Sequence, residues 1–289
     1  MTAPTDPPAS GPTAGSGPPD PAAAGAAGAA WHPDPFGRAH WRLAEGGAWT
    51  DRVATWGGEW HDAPGPNPNV PDLSILAEPA LALSYGGVGM EGAGRWPVFD
   101  VTGRPRGSVH VEVPGFLAGG TRRYLVLDPS DRVVLQVVPR TGFSNDCDVI
   151  DWTGRPHGVF DGQTFSAVVR FVCGSLVHGQ ATTVDGAGNS APFAADDVDH
   201  FTVTLTDAQN VAFGSLTNHE ARRGLGSFFG GRPQAGQLLP EQSWFQLDRR
   251  PDLPEPLRTF TLAFPLLYAH RVHLTRAQRR HRHHHHHHH

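Results

Sequence analysis

The chain has no lysine: among its 289 residues every fixed positive charge is an arginine, and with the abundant Ala, Gly and Pro this suggests a GC-rich genome. Charge of both signs is sparse, at 18% of residues with a formal net charge of -5. An acidic chain with no basic run in its body is a poor binder of nucleic acid, so no such partner is expected. There are only two cysteines, Cys147 and Cys173, without Cys-x-x-Cys spacing. Two thiols cannot build a zinc site alone. Reduced core residues are the expectation, and the sequence leaves a bridge open. A positive n-region followed by an apolar h-region is missing near Met1. No apolar run reaches the ~20 residues of a bilayer span. A cytoplasmic protein is therefore expected. His-Glu-x-x-His is absent and no Ser/His/Asp set sits in a nucleophile elbow. Neither catalytic residues nor a cofactor or metal are expected.

Glycine and proline, by contrast, are plentiful, at 35 and 27 residues. That load favours turns and strands over long helices. Residues 1–30 are nearly all Ala, Gly, Pro, Ser, Thr and Asp and read as a disordered leader. Residues 31–60 hold Trp31, Trp41, Trp49, Trp56 and Trp60 and read as a small Trp-rich module held by stacked Trp and Pro rings. Residues 61–71 carry four prolines and read as a linker.

From residue 72 a pattern repeats. An alternating apolar run meets an Asp, a Gly-rich turn follows, and a second alternating run returns. The turn aspartates are Asp100, Asp128, Asp151, Asp185 and Asp207. Aspartate bonds its own backbone two residues on and glycine supplies positive φ, so each marks a hairpin. Five hairpins, with about two further strands around Leu81–Tyr85 and Ser243–Leu247, make an up-and-down sheet of about twelve strands. Closing it into a barrel removes both edges. More than about eight strands leave a lumen that wall side chains do not fill.

Leu257 to Ala269 is the longest apolar run and lacks a polar face. A helix apolar all round is buried, and ~16 helical residues rise ~24 Å, close to the length of a seven-residue strand. This run, with Leu257, Phe260, Phe264 and Leu267 in its core, is expected to plug the barrel over residues 72–274. Pro265 within it predicts a kink, or a helix whose first turn begins there. Residues 275–289 read as a basic tail with Arg276, Arg279, Arg280 and Arg282, then a histidine tract that resembles a purification tag.

Other motifs are weaker. Gly87-Val-Gly-Met-Glu-Gly92 lacks the helix a dinucleotide turn opens and reads as a hairpin loop. The clusters Asp146/Asp148/Asp151 and Asp196/Asp197/Asp199 lack the ligand order of a calcium loop. Three arginine pairs, Arg122–Arg123, Arg222–Arg223 and Arg249–Arg250, lie between hairpins. If they converge at one barrel end they suit lipid phosphates, which guanidinium binds in bidentate fashion.

Two resemblances add to this. The string Trp31-His-Pro-Asp-Pro-Phe-Gly37-Arg38 with Gly47-Ala-Trp-Thr-Asp51 resembles a short Trp-rich domain of unknown function common in actinobacterial proteins, differing from it at Leu43–Gly46. The hairpins, best at Phe201–Asn218, followed by Pro256-Leu-Arg258 and the apolar run, resemble the tubby C-terminal-like superfamily, which includes the phospholipid scramblase and LURP-one-related families. That resemblance implies a twelve-stranded barrel around a central helix and a non-enzymatic, membrane- or phospholipid-associating role. Glu241–Asp252 lacks the acidic core of the scramblase calcium segment, so calcium-triggered scrambling is not expected. The expectation is a cytoplasmic protein peripheral to the inner membrane face, with anionic phospholipid as partner. The alternative is a soluble scaffold for an unidentified protein partner.

Overall fold

Aspartate turns set the architecture, and they share one geometry. Asp100, Asp128, Asp151 and Asp207 each accept from the backbone N–H two and four residues on through one carboxylate oxygen, at 2.8–3.1 Å. Each carbonyl accepts from the N–H three residues on. That third residue is left-handed in every case: Gly103, Asp131, Gly154 and Asn210 have φ of 80°, 61°, 80° and 61°. Gly, Asp and Asn are the types that adopt this conformation at low cost.

The computed structural model describes residues 28–55, 58–65, 67, 69–85, 94–114, 122–140, 146–162, 166–185, 187–191, 202–219 and 243–286. Two compact units emerge, residues 1–70 and 71–289. In the first, β1 (Ala30–Pro33), β2 (Trp41–Glu45), β3 (Ala48–Thr55) and β4 (Gly58–His61) form a sheet in that order. A buried ion network runs through it, beside ring contacts such as His32 edge-on to Trp49 at 5.8 Å. The fully buried Arg42 donates to Asp34 at 2.8 Å and to Asp62, while Arg38 donates to Asp62 and to the carbonyls of Ala63 and Gly65. Both guanidiniums lie over Phe36, about 5 Å from its ring centre. Residues 62–65, read as linker, thus belong to this unit. About thirty residues bury too little apolar surface to hold shape alone, and paired charges supply what the core does not.

The second unit begins with a 3-10 turn, Leu73–Ala77, and then twelve strands. They are β5 (Ala80–Ser84), β6 (Gly94–Asp100), β7 (Pro105–Glu112), β8 (Arg123–Leu127), β9 (Val133–Pro139) and β10 (Cys147–Asp151). The rest are β11 (Pro156–Asp161), β12 (Val168–Cys173), β13 (Leu176–Val184), β14 (Thr202–Asp207), β15 (Ala212–His219) and β16 (Trp244–Arg249). Each pairs antiparallel with its sequence neighbour, and β16 pairs with β5 to close the barrel, as from Phe245↔Leu83 to Leu247↔Leu81. The strand count is the expected one, but one turn is not. Asp185 keeps the aspartate geometry, yet among the described residues only Val184 and Ser190 bridge across its turn. The fifth hairpin instead joins β12 to β13 at Gly174–Ser175. Pro192, lacking an N–H, follows Ala191 and cannot extend a ladder there.

The single α-helix among the described residues, α1 (Leu257–His286), fills the barrel with its first half. Every residue from Thr259 to Arg271 is buried, on all sides. Phe260 and Phe264 interlock with wall residues Phe160 and Phe171, the Phe171–Phe260 rings stacked at 5.3 Å. The wall makes room where the helix comes closest. A Cβ on Gly158 would lie 2.5 Å from Phe260, and one on Gly179 would lie 2.9 Å from Leu257. α1 does not restart at Pro265; it runs through it and on through the residues read as a tail. A proline there removes one backbone bond, and the wall packing around it holds the helical path.

Phe264→Asp places an unpaired charge in a fully buried ring cluster. It is expected to abolish cooperative unfolding, and a native-like thermal transition by near-ultraviolet circular dichroism would refute the plug. Acid lability is also expected. Thr102's hydroxyl, with the Arg104 and Thr102 amides, holds the Asp100 carboxyl below its ordinary 3.8. At Asp128 burial raises the value, but the Asp72 and Arg132 amides and the Arg132 side chain outweigh it and the net shift is downward. Carboxyls depressed in the folded state contribute stability above their unfolded value and lose it as pH falls through the folded one. Urea midpoints should therefore drop below about pH 4, and less steeply in Asp128→Asn.

Candidate functional site

Strand alternation gives the barrel two unlike ends. The five tight hairpin turns, after β6, β8, β10, β12 and β14, all lie at one end, and α1 starts there. The connections at the other end are longer in sequence, and α1 runs toward that end.

The two arginine pairs among the described residues, Arg122–Arg123 and Arg249–Arg250, do not converge. Arg249 ends β16 at the turn end, on the inward side shared by Phe245 and Leu247, and is buried. Its guanidinium donates to the carbonyls of Ile75, Leu76, Glu78 and Arg258 and to the Thr261 hydroxyl, at 2.7–3.0 Å. Burial lowers its pKa to about 10. With its donors spent on the 3-10 turn and the first turns of α1, this arginine is a structural clamp and does not present a lipid-phosphate contact. Arg250 beside it is exposed and 3.6 Å from Asp252. Arg123 is exposed at the opposite end, facing Glu112 in register. Arg122 is buried at that same end. Arg222 and Arg223 lie outside the described residues, as do Gly87–Gly92 and Asp196/Asp197/Asp199. Leu257, Phe260, Phe264 and Leu267 are all buried in the plug.

The first acidic cluster is dispersed. Asp148 pairs with Arg140 at 2.9 Å, Asp151 builds its turn, and Asp146 accepts from the Gly162 amide. Both cysteines are free and buried, and burial pushes the Cys147 thiol up to about 12.

At the loop end the interior turns polar. Tyr85 donates to Asn218, and Tyr85, Trp96, Phe245 and Tyr268 form a ring cluster with centroids 4.7–6.4 Å apart. Tyr124 continues it, 6.3 Å from Trp96 and 6.1 Å from the His270 ring. Burial raises the Tyr124 pKa, opposed by the Arg122 guanidinium against its hydroxyl. Arg271 of α1 is buried and donates to the Gly162 carbonyl at 3.2 Å. A Cβ on Gly162 would sit 2.4 Å from that guanidinium. Burial lowers the Arg271 pKa to about 10, against the pull of Cys147 and Asp146. In the sequence Arg271 lies two residues past the apolar run, and Tyr124 and Trp96 belong to no motif. The alternation of inward positions along β6 and β8 was the signal available for both.

No family model matches the chain, and no curated protein matches it. A solved structure of a protein from Arabidopsis thaliana is similar at 10% identity, covering 69% of this chain and 95% of that one with a TM-score of 0.36. A likeness that distant carries no argument about function.

Replacing Arg249 with Ala removes the guanidinium from the Leu76 and Glu78 carbonyls and takes one of two donors from the Ile75 and Arg258 carbonyls. A loss of about 3–5 kcal/mol is expected, against less than about 0.5 kcal/mol for Arg250→Ala. Urea unfolding of the two variants checks this, and comparable small losses would remove the clamp.

Proposed function

We propose that this is a non-enzymatic protein of the tubby-like, scramblase-related kind that associates reversibly with anionic phospholipid surfaces through its loop end. The observation that supports the reading most is the continuation of α1. The helix goes on past Arg271 to His286, and that stretch carries Arg276, Arg279, Arg280 and Arg282. After Glu255 the sequence contains no Asp or Glu. A basic residue near an anionic leaflet contributes about 1 kcal/mol. Four of them give about 4 kcal/mol, a dissociation constant near millimolar. Such binding is peripheral and reversible, and it screens strongly with salt. No helix among the described residues is long and apolar enough to cross a membrane, which suits attachment from one side.

A second reading, a protein-interaction scaffold, draws on exposed apolar residues at the turn end. Leu176, Val177 and Val211 sit on the neighbouring β12–β13 and β14–β15 hairpins.

Co-sedimentation with vesicles tests the lipid reading. Binding is expected to anionic vesicles at low salt, to fall at physiological salt, and to drop about tenfold or more on changing Arg276, Arg279, Arg280 and Arg282 together to Gln. Those substitutions keep the histidine tract, so residual attraction by it is controlled. Absence of binding at low salt would leave the scaffold reading.

A further inference from the structure

The outer wall of the barrel carries a cleft of about 390 Å³ that neither reading above uses. Its size is that of a small-molecule site. Pro97 on β6 and Ser108 on β7 pair in register within it, flanked by the fully buried Trp96, Val98 and Val109. Alternation therefore turns Pro97 and Ser108 to the outside of the wall. Three pyrrolidine rings line the space: Pro97, Pro105 at the start of β7, and Pro129 in the β8–β9 turn. Gly107 lines it too, and a Cβ there would run into the Leu127 carbonyl oxygen, so no larger residue stands in that place. Ser108, 8% exposed, adds a hydroxyl that can donate or accept.

One ion pair belongs to the same cleft. Leu127 ends β8 opposite Ser108, and Asp131 beyond it reaches back to Arg95, near the start of β6. Asp131 Oδ1 accepts from Arg95 Nη1 at 2.6 Å. Both side chains stay accessible, at 49% and 63%. The Asp131 backbone is fixed, left-handed at φ 61° with its amide donating to the Asp128 carbonyl. The contact uses one nitrogen and one oxygen, so Arg95 keeps Nε and Nη2 as donors and Asp131 keeps Oδ2 as an acceptor.

That pair selects among ligands. A lone anion on Arg95 meets Asp131 beside it, and a lone cation on Asp131 meets Arg95. A molecule carrying both charges close together satisfies both partners, and an exposed ion pair gives up little when one is inserted. Guanidinium takes a carboxylate in bidentate fashion. An α-amino acid holds its ammonium and carboxylate on one carbon, from which the side chain also leaves. We propose that the cleft binds a free α-amino acid with an apolar side chain. Its carboxylate lies on Arg95, its ammonium on Asp131, and its side chain against Pro97, Pro105 and Pro129.

A ligand-observed NMR titration of the full chain with L-phenylalanine tests it. N-acetylphenylalanine, which lacks the ammonium, and phenylalaninamide, which lacks the carboxylate, are titrated beside it. Phenylalanine is expected to bind saturably, and each blocked form at least about tenfold more weakly. Arg95→Gln and Asp131→Asn should each weaken phenylalanine by about the same factor. Both variants keep the fold: Arg95 is an accessible side chain, and Asn210 holds the same φ of 61° at the matching place in the β14–β15 turn. The cross terms decide which charge meets which partner. In Asp131→Asn the acetyl block should bring no further loss, and in Arg95→Gln the amide block should bring none. No saturable binding, equal binding of the three probes, or losses that do not depend on which partner was changed overturns the proposal.

Discussion

A sheet that closes on itself solves one problem and creates another. Closure leaves no edge strand to recruit other chains, but twelve strands enclose more space than inward side chains fill. Only a rod of matching length with apolar groups on every side completes such a core. The run from Leu257 to Arg271 is that rod, and its shape dictates the rest. Phe260 and Phe264 require Phe160 and Phe171 opposite them, Phe260 also requires Gly158, and Leu257 requires Gly179, where no side chain fits. Wall and plug are therefore one packing unit, and neither has an apolar surface that water tolerates without the other.

The plug also orders the two ends. Its N-terminal turns lie where five tight turns hold the strands, and it leaves where the connections are long. Tight turns with internally satisfied backbones are a rigid base; long connections are where binding groups are carried. Arginine is used the same way at both ends: Arg249 at the base is consumed by five protein acceptors, and Arg271 at the far end donates to the Gly162 carbonyl.

What could be read in the sequence was what is local. The aspartate turn is written within five residues, so the hairpins and the strand count were legible from spacing alone. Asp185 shows the limit, because its turn is locally the same as the others. Whether strands follow depends on β14, which pairs with β13 from well beyond it. The plug was legible because all-round apolarity has few meanings. Side-chain direction was less so: Phe245, Leu247 and Arg249 alternate inward along β16, yet an adjacent Arg250 made the pair look like loop charge. The Arg42–Asp34–Asp62 network was not legible, since Asp62 lies in a Pro-rich stretch and only folding brings it to Arg42.

The buried arginines raise a question of specificity. Desolvating a guanidinium costs several kcal/mol, and a hydrophobic replacement of like volume is often no less stable. An apolar cylinder inside an apolar wall has little to fix its rotation or its position along the axis, because many placements bury similar area. Arg249 grips the Arg258 carbonyl and Thr261 near one end of the plug, and Arg271 grips the Gly162 carbonyl at the other. Thirteen residues separate Arg258 from Arg271, about 20 Å of helix. Directional bonds that far apart allow one axial register and one rotation, which apolar packing alone does not select. The cost of burying charge at both ends is thus offset by a single defined seat for the helix, and that seat is what places His270 beside Tyr124.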